Sequence, residues 1–332
     1  MLTACESVPE GAPPAALSTF SASEAWHHLE TLTGFGSRQT GTRGAAQARK
    51  YLRKRLEALG ADVDEVKLRL ASEDEGPREL RHLVATLPGE SSDRLVLAAS
   101  YDSRALPDVE FVGANASASG PALVLELARA LSERSRPYTI VVALVDGDAL
   151  PATGRAAQFS GSRSLASWLS EEAAGGFAKI RLAVFFQQVA DPELSIARDL
   201  RSHPIYREFF WKAARDLGRE SYFAPGASVE SVDAGHVEFI DRGLLRSVVI
   251  ADPRFGGPDV PGRYAGSVED TVERCSRDSL GIVGDVALEA LDRIAARLVR
   301  IDRFYSSPLG TYGSAPARMA APSLSEDESG PK

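Results

Sequence analysis

Short, almost continuous apolar runs, separated by segments with helical periodicity, constrain the fold of this chain most strongly. Four such runs cover residues 94–100, 138–145, 180–186 and 247–251. Runs of this length and composition are typical of strands that are buried on both faces of a parallel sheet. The alternation of strands and helices therefore predicts an α/β fold with a mixed, mostly parallel central sheet and helices on both of its faces.

The other patterned segments complete this prediction. Two further strands are expected at residues 62–70 and 80–87. Amphipathic helices are expected where apolar residues recur three or four positions apart. These helices cover residues 45–59, 119–131, 163–171, 205–217 and 280–301.

The two ends of the chain differ in composition from its body. Residues 24–304 carry the alternating pattern and are predicted to form a single domain. Residues 1–23 are rich in Pro, Ala and Ser, as flexible tethers are, and residues 305–332 lack the apolar content that a core requires. We therefore expect a flexible segment before the domain and a disordered tail after it.

The N-terminal sequence Leu2-Thr3-Ala4-Cys5 resembles a bacterial lipobox, at which a signal peptide is cleaved and the cysteine is lipidated. The charged and apolar regions of a signal peptide do not precede it, so an ordinary chain start is the alternative. Lipidation of Cys5 would make the protein a cell-envelope lipoprotein, whereas a cytoplasmic location is expected without an upstream signal peptide. The Arg- and Ala-rich composition also indicates a bacterial source.

The charge and the cysteine content exclude several classes of function. The formal net charge is −8, so nucleic-acid partners are not expected, and a membrane would be contacted only through a lipid at Cys5. The two cysteines, Cys5 and Cys275, cannot build a disulfide framework or a cysteine-rich zinc site. A metal site would therefore need His, Asp and Glu. None of the five histidines forms a His-x-x-x-His pair, and His27 and His28 are expected on the surface of an early helix.

Three segments that come after predicted strands lie where α/β proteins bind their ligands. They are Ser100-Tyr-Asp-Ser103, residues 111–120 and Val145-Asp-Gly-Asp-Ala149. With residues 161–165, they resemble in order and spacing the zinc aminopeptidase and glutaminyl cyclase superfamily, and the glutaminyl-peptide cyclotransferases most closely. The similarity extends over about residues 25–300 and includes residues 35–41, 82–89, 235–239 and 269–271.

The resemblance implies the fold of that superfamily and a zinc site that polarises a carbonyl group while a carboxylate moves the proton. The proton-shuttling Glu of the family falls on Asp148. The family's ligand positions fall on Ser100, Ala116, Ala149, Gln187 and Gly266. Alanine and glycine offer no side-chain lone pair, and Ser and Gln oxygens are poor neutral ligands for zinc. We therefore expect that the zinc site is lost and that no cofactor is bound.

Neighbouring scaffold positions of the family are retained. Asp102, Asp146 and His236 match residues that the superfamily keeps near its pocket, and Asp270 matches an anchoring carboxylate. Asp146 is expected to shape its loop by accepting hydrogen bonds from backbone N–H groups. Selective loss of the ligands favours a pseudoenzyme without a catalytic residue, which binds a peptide or protein partner in the former active-site cleft.

Two enzymatic alternatives stay open. The first is a zinc-dependent glutaminyl cyclase or aminopeptidase that acts on peptide N-termini through displaced ligands, with Asp102, Asp146, Asp148 and His236 as candidates. The second is a metal-free hydrolase that uses Ser100 or Asp148. A triad of Ser100, Asp102 and His236 is disfavoured because the sequence has no Gly-x-Ser-x-Gly motif. Ser100 and Asp102, two positions apart on a strand, would also point the same way.

Overall fold

The centre of the molecule is a six-stranded mixed sheet. The computed structural model describes residues 20–70, 77–106, 108–151, 158–171, 176–225 and 229–306. The strands are β1 (Asp62–Leu70), β2 (Arg78–Leu87), β3 (Ser91–Ser100), β4 (Tyr138–Val145), β5 (Ile180–Gln187) and β6 (Ser247–Ala251), in the spatial order β1-β2-β4-β3-β5-β6. β2 is antiparallel to both of its neighbours, and the other neighbouring pairs are parallel. The predicted mixed, mostly parallel sheet is confirmed.

Helices connect the strands. They are α1 (Ala22–Thr33), α2 (Arg43–Glu57), α3 (Gly120–Ser132), α4 (Ser160–Glu171), α5 (Pro204–Asp216), α6 (His236–Asp241) and α7 (Arg277–Ser306). A π-helical turn, Ala114–Ser119, leads directly into α3, and 3₁₀ turns lie at Gly176–Lys179, Glu220–Tyr222 and Val272–Arg274. Within the part of the chain that the structure describes, no helix is both long and apolar enough to cross a bilayer.

Apolar side chains on successive residues of each central strand enter two different cores, because neighbouring side chains of a strand point to opposite faces of the sheet. In β3, Leu95 and Leu97 pack in one core, whereas Val96 and Ala98 pack in the other. Residues of α1, α2, α3, α5 and α7 cover the first face, and residues of α4 and α6 cover the second. Helices on both faces of the sheet were predicted and are confirmed.

The folded part begins earlier than the sequence predicts. Phe20 packs in the first core, and the Ser21 side chain caps α1 by accepting a hydrogen bond from the Glu24 N–H at 3.2 Å. Residues 20–23 therefore do not belong to the flexible segment assigned to residues 1–23. At the other end, α7 continues to Ser306, two residues beyond the predicted domain limit of 304. Cys5 and the rest of the predicted terminal segments lie outside the described residues.

Candidate functional site

A cleft of about 560 Å³ opens at the carboxyl ends of β3, β4 and β5. This is the edge at which open α/β sheets bind ligands. The cleft is formed by the segments that follow these strands, the π-helical turn, the residues before α4 and a loop before the Val272–Arg274 turn. Its described lining residues are Ser100, Asp102, Arg104, Ala105, Phe111, Ala116, Ser117, Asp148, Ala149, Leu150, Pro151, Gln158, Phe159, Gln187, Gln188, Pro261, Ala265 and Gly266.

The structure brings together the positions that the family resemblance assigns to zinc ligands. The residues at these positions come from five separate segments of the chain and all line the cleft: Ser100, Ala116, Ala149, Gln187 and Gly266. Asp102 and Asp148 line it as well, whereas Asp146 and His236 lie outside the described lining. Residues that are up to 166 positions apart in the sequence thus surround one space, in which the side chains at the ligand positions are small or neutral.

Asp148, at the proton-shuttle position, is held by two serine hydroxyls. Its Oδ2 accepts hydrogen bonds from Ser100 Oγ at 2.5 Å and Ser162 Oγ at 2.6 Å, and its Oδ1 accepts one from the Ser162 N–H at 2.6 Å. Burial raises the pKa of Asp148, and the hydrogen bonds from the two serines oppose that rise. A Cβ on Gly235 would lie 2.0 Å from Ser162 Oγ, so the glycine makes room for this arrangement.

Asp102 fixes the turn after β4. Its Oδ2 accepts a hydrogen bond from the Ala149 N–H at 2.8 Å, and its Oδ1 accepts one from the Asp148 N–H at 3.3 Å. Burial raises the pKa of Asp102 well above its usual range, and the neighbouring carboxyls of Asp146 and Asp148 raise it further. Asp102 therefore positions the backbone that carries Asp148 and Ala149.

Asp146 connects that same turn to the neighbouring segments. Its Oδ1 accepts a hydrogen bond from Thr40 Oγ1 at 2.8 Å, and its Oδ2 accepts one from the Arg81 N–H at 3.0 Å. The Asp146 N–H in turn lies 3.2 Å from His82 Nδ1. Burial raises the pKa of Asp146. The side chain thus accepts a hydrogen bond from one backbone N–H, as its sequence context predicts, and a second one from a hydroxyl.

Arg38 is a buried residue of the site that the sequence pattern did not single out, although it lies in the segment 35–41 that carries part of the family resemblance. The side chain is fully buried, and burial lowers its pKa to about 10. It donates hydrogen bonds to Ser117 Oγ, which lines the cleft, at 3.0 Å and to four backbone carbonyls. These are the carbonyls of Leu32, Gly36, Tyr101 and Gly113.

Asp270 holds the beginning of the π-helical turn. Its Oδ1 accepts a hydrogen bond from the Asn115 N–H at 2.6 Å, and its Oδ2 accepts one from the Ala116 N–H at 3.1 Å. Burial raises its pKa to about 6, although these backbone hydrogen bonds and the charge of Arg38 act in the opposite direction. The turn presents the small side chain of Ala116 to the cleft.

His236 takes part in a different buried pair. Its Nε2 lies 3.0 Å from Asp199 Oδ2, and both side chains are fully buried. Asp199 also accepts hydrogen bonds from the N–H groups of Ser202 and Val232. The triad of Ser100, Asp102 and His236 is therefore not assembled, because Ser100 donates to Asp148 and His236 contacts Asp199.

The cleft also carries features for which the sequence pattern contains no signal. Phe159 and Gln188 line it with left-handed backbone angles, at φ values of 51° and 53°. Such angles cost a non-glycine residue roughly 1 kcal/mol or more and are often found at functional sites. Arg104 is exposed, and its guanidinium Nη1 lies 2.6 Å from the position that a Cβ on Gly266 would take.

The residues of the cleft do not fit the zinc ion that the resemblance implies. The only carboxylates among its described lining residues are Asp102 and Asp148, and both already accept several hydrogen bonds. The described parts of the chain contain no cluster of three or more His, Cys, Asp or Glu side chains with the spacing of a metal site. A zinc ion would lack the three protein ligands that catalytic sites supply.

Comparisons with known proteins agree with the predicted fold and relationship. A sequence model described as peptidase family M28 matches residues 82–291. A glutaminyl-peptide cyclotransferase-like protein from Bos taurus is 31% identical over an alignment of 249 residues, and the match covers 65% of this chain and 63% of the relative's length. The crystal structure of an Acidobacteriales bacterium glutaminyl cyclase matches with a TM-score of 0.79 and 25% identity, over 87% of this chain and 100% of that one. A Zn-dependent exopeptidase from Parabacteroides distasonis matches in fold, with a TM-score of 0.74 and 23% identity over 83% of this chain and 99% of that one.

Proposed function

The chain belongs to peptidase family M28, and we propose that it is a catalytically inactive member that binds a peptide or protein partner in the cleft. One observation carries the proposal. The positions at which the family pattern has zinc ligands surround a single space, yet their residues are Ser100, Ala116, Ala149, Gln187 and Gly266. Three of these side chains have no donor atom, and the other two are neutral oxygen donors that zinc sites rarely use.

The remaining polar groups support a structural role for the former catalytic residues. Asp148 retains the carboxyl of the shuttle position, but it is bound by the hydroxyls of Ser100 and Ser162. A proton shuttle acts on a group that an electrophile has activated, and no described residue of the cleft provides the ligands for such a metal ion. The hydrogen bonds of Asp148 therefore favour a role in holding β3 and α4 together.

The shape and lining of the cleft support a binding role. Its volume of about 560 Å³ is within the range of small-ligand pockets, which is roughly 300–1,000 Å³. Its lining contains apolar side chains such as Phe111 and Leu150 as well as carboxamides such as Gln187. The left-handed backbone of Phe159 and Gln188 persists at this place despite its cost. A site without function would have no need for an open cleft with strained walls.

The enzymatic alternatives make different demands on the same residues. Zinc binding through displaced ligands would require His236, which lies outside the described lining of the cleft, to reach the space that Asp102 and Asp148 line. The names of the bovine relative and the Acidobacteriales enzyme favour glutaminyl cyclase as the activity to test first. A metal-free hydrolase would require Ser100 or Asp148 to be free for substrate, whereas each is engaged with the other.

The zinc content of protein purified without added metal or a metal-affinity tag tests the inactive state. We expect far less than one zinc per chain, no thermal stabilisation by added zinc, and no turnover of glutaminyl peptides or aminoacyl substrates. A matched variant combines Ala116→Asp, Ala149→Glu and Gly266→His, with Arg104→Ala to clear the space beside residue 266. This variant should gain thermal stability with zinc, because it restores one His and two carboxylate ligands.

The possible enzymatic results are distinct from each other. One zinc per chain with turnover that a chelator abolishes would establish the zinc-dependent alternative. Turnover that resists the chelator but disappears in Asp148→Ala or Ser100→Ala would establish the metal-free hydrolase. Either result would overturn the proposed loss of catalysis.

Binding is tested with a peptide library and a variant that fills the cleft. Ala149 lines the cleft, and only its backbone N–H takes part in the hydrogen bond to Asp102. Ala149→Trp should therefore block the space while leaving that hydrogen bond in place. We expect the unmodified protein to select peptides and the variant to lose them. Equal binding by both proteins would place the partner outside the cleft and contradict the proposal.

A further inference from the structure

Arg104 is the only cationic side chain among the described residues that line the cleft. We propose that the cleft binds a carboxylate through the Arg104 guanidinium, and that the ligand is the C-terminal carboxylate of a peptide. The inference rests on the proposed function of the cleft and specifies which end of a peptide it recognises. It differs from the alternative enzymatic activities, which act on peptide N-termini.

The position of Arg104 relative to Gly266 is the first observation. A Cβ on Gly266 would lie 2.6 Å from Nη1 of Arg104, so the guanidinium occupies the volume that a side chain at residue 266 would need. Gly266 also has a left-handed backbone, with a φ of 67°, which glycine adopts without strain. According to the family resemblance, residue 266 is where a metal-binding His would be. A positive group therefore lies where the related proteins are expected to hold their metal.

The second observation is that the Arg104 guanidinium makes no hydrogen bond or ion pair with any other described residue. Several other arginines of this acidic chain have carboxylate partners, but among the described lining residues of the cleft Arg104 is the only arginine. Arg254 binds Glu230 at 2.6 and 2.7 Å, Arg163 binds Glu238 at 2.8 Å, and Arg181 binds Asp302 at 2.8 Å. A planar guanidinium binds a carboxylate with two parallel hydrogen bonds, and an unpaired one in a cleft is suited to a carboxylate ligand.

The acidic residues of the cleft do not compete for this role. Asp102 accepts hydrogen bonds from two backbone N–H groups, and Asp148 accepts three from Ser100 and Ser162. Both carboxyls are thus already held by neighbouring groups of the fold, and Asp102 is almost completely buried. Arg104 is therefore the charged group of the described lining that is left without a partner in the fold, and it would pair with a C-terminus and not with an N-terminus.

The rest of the lining fits the neighbouring part of a peptide chain. Gln187 and Gln188 carry carboxamides that can both donate and accept hydrogen bonds, as a peptide group requires. Phe111, Leu150 and Phe159 provide apolar surface for a C-terminal side chain. A peptide with an apolar last residue and a free carboxylate combines these features.

The test compares matched peptides by ligand-observed NMR and calorimetry on the full chain. The probes are N-acetyl-Ala-Ala-Phe and N-acetyl-Ala-Ala-Leu as free acids, the same peptides as C-terminal amides, and the amides with a free N-terminus. We expect only the free acids to bind, and Arg104→Gln to weaken that binding roughly tenfold to a hundredfold. Arg104→Lys should restore part of the affinity, because it keeps the charge but not the planar fork.

The controls separate this inference from the proposed function. Arg104→Gln should unfold like the unmodified protein, because the exposed side chain makes no hydrogen bond or ion pair with another described residue. If free acids and amides bind equally and Ala149→Trp abolishes both, the cleft binds peptides but does not recognise the carboxylate. That result would overturn the inference on Arg104 and leave the proposed function standing. Binding of the free N-terminus alone would also overturn it. No binding of any probe at millimolar concentration would count against both.

Discussion

The residues beneath the cleft and those on its surface differ in how completely their polar groups are used. We refer to Arg38, Asp102, Asp146 and Asp270 as the support layer. Each is buried and makes several hydrogen bonds to backbone groups or hydroxyls. On the surface, the residues at the family's ligand positions are small or neutral, and Ser100 is the only one whose side chain donates to a carboxylate of the lining.

This difference separates the requirements of folding from those of chemistry. A buried polar group that loses its partner costs about 1–3 kcal/mol, so the support layer cannot change without loss of stability. A side chain that faces an open cleft makes few contacts, and its replacement costs little. The scaffold of a metalloenzyme can therefore be retained after its ligands are replaced. Three predictions test this separation.

The largest loss in the free energy of unfolding is expected for Arg38→Met. The substitution keeps an apolar stem but removes the hydrogen bonds to Ser117 Oγ and to the backbone carbonyls of Leu32, Gly36, Tyr101 and Gly113. A buried acceptor that is left without a donor costs about 1–3 kcal/mol, and several acceptors lose a donor here, so we expect a total loss of about 3–5 kcal/mol. Urea unfolding should show a loss of this order for Arg38→Met and a similar loss for Arg38→Lys, because an ammonium cannot reach acceptors in so many directions.

Arg104→Met is the matched control on the cleft surface. It removes the same functional group from a side chain without a described partner, and it should change the free energy of unfolding by no more than about 0.5 kcal/mol. Comparable losses in the two variants would show that the support layer and the cleft surface are equally important for stability, and the distinction between them would fail.

The sequence pattern predicts the sheet and the helices on both faces, and the family resemblance implies the set of segments that meet in the cleft. Both can be read directly from the sequence: periodicity is a property of each segment, and the resemblance depends on the order of short motifs along the chain. The π-helical turn before α3 was not predicted, because it depends on the clamp that Asp270 forms from a position 155 residues away in the chain. The relation between Arg104 and Gly266 could not be predicted for the same reason.

His28 shows this limit at a single residue. The sequence predicts that His27 and His28 are both on the surface, and His27 is exposed. His28 is buried instead, with Nδ1 2.6 Å from the Tyr51 hydroxyl, and burial lowers its pKa to about 3. The prediction for His28 is wrong because α2 packs against this side of α1. Helical periodicity identifies a buried face but does not reveal a hydrogen bond between two helices.

A change of intermediate size is expected for Asp270→Asn, in which the free energy of unfolding should depend less on pH. Burial raises the folded-state pKa of Asp270 from 3.8 to about 6. Between these values the folded state binds the proton and the unfolded state releases it, so the contribution of Asp270 to stability falls as the pH rises from about 4 to about 6. The penalty is fully present above about pH 6 and amounts to roughly 2–3 kcal/mol.

Urea midpoints at several pH values between 4 and 7 measure this contribution. The other carboxyls of the support layer, Asp102 and Asp146, also have raised pKa values and change stability in the same direction. The informative quantity is therefore the difference between the two proteins at each pH. We expect a shallower decline in Asp270→Asn, and parallel curves would mean that Asp270 does not titrate in this range.

The smallest change in the free energy of unfolding is expected for Ala116→Leu. Its matched control is the same substitution at Ala118, on the same π-helical turn. Ala116 lines the cleft, whereas Ala118 is fully buried in the first core. A leucine at residue 116 would extend into open space and should change stability by no more than about 0.5 kcal/mol. The same substitution at Ala118 overfills a packed core and should cost about 1–3 kcal/mol. Thermal unfolding compares the two variants directly. A larger loss of stability for Ala116→Leu would contradict the distinction between the support layer and the cleft surface.

Because the new side chain occupies the cleft, Ala116→Leu should also weaken peptide binding while the fold stays intact. This substitution therefore tests binding without affecting the support layer.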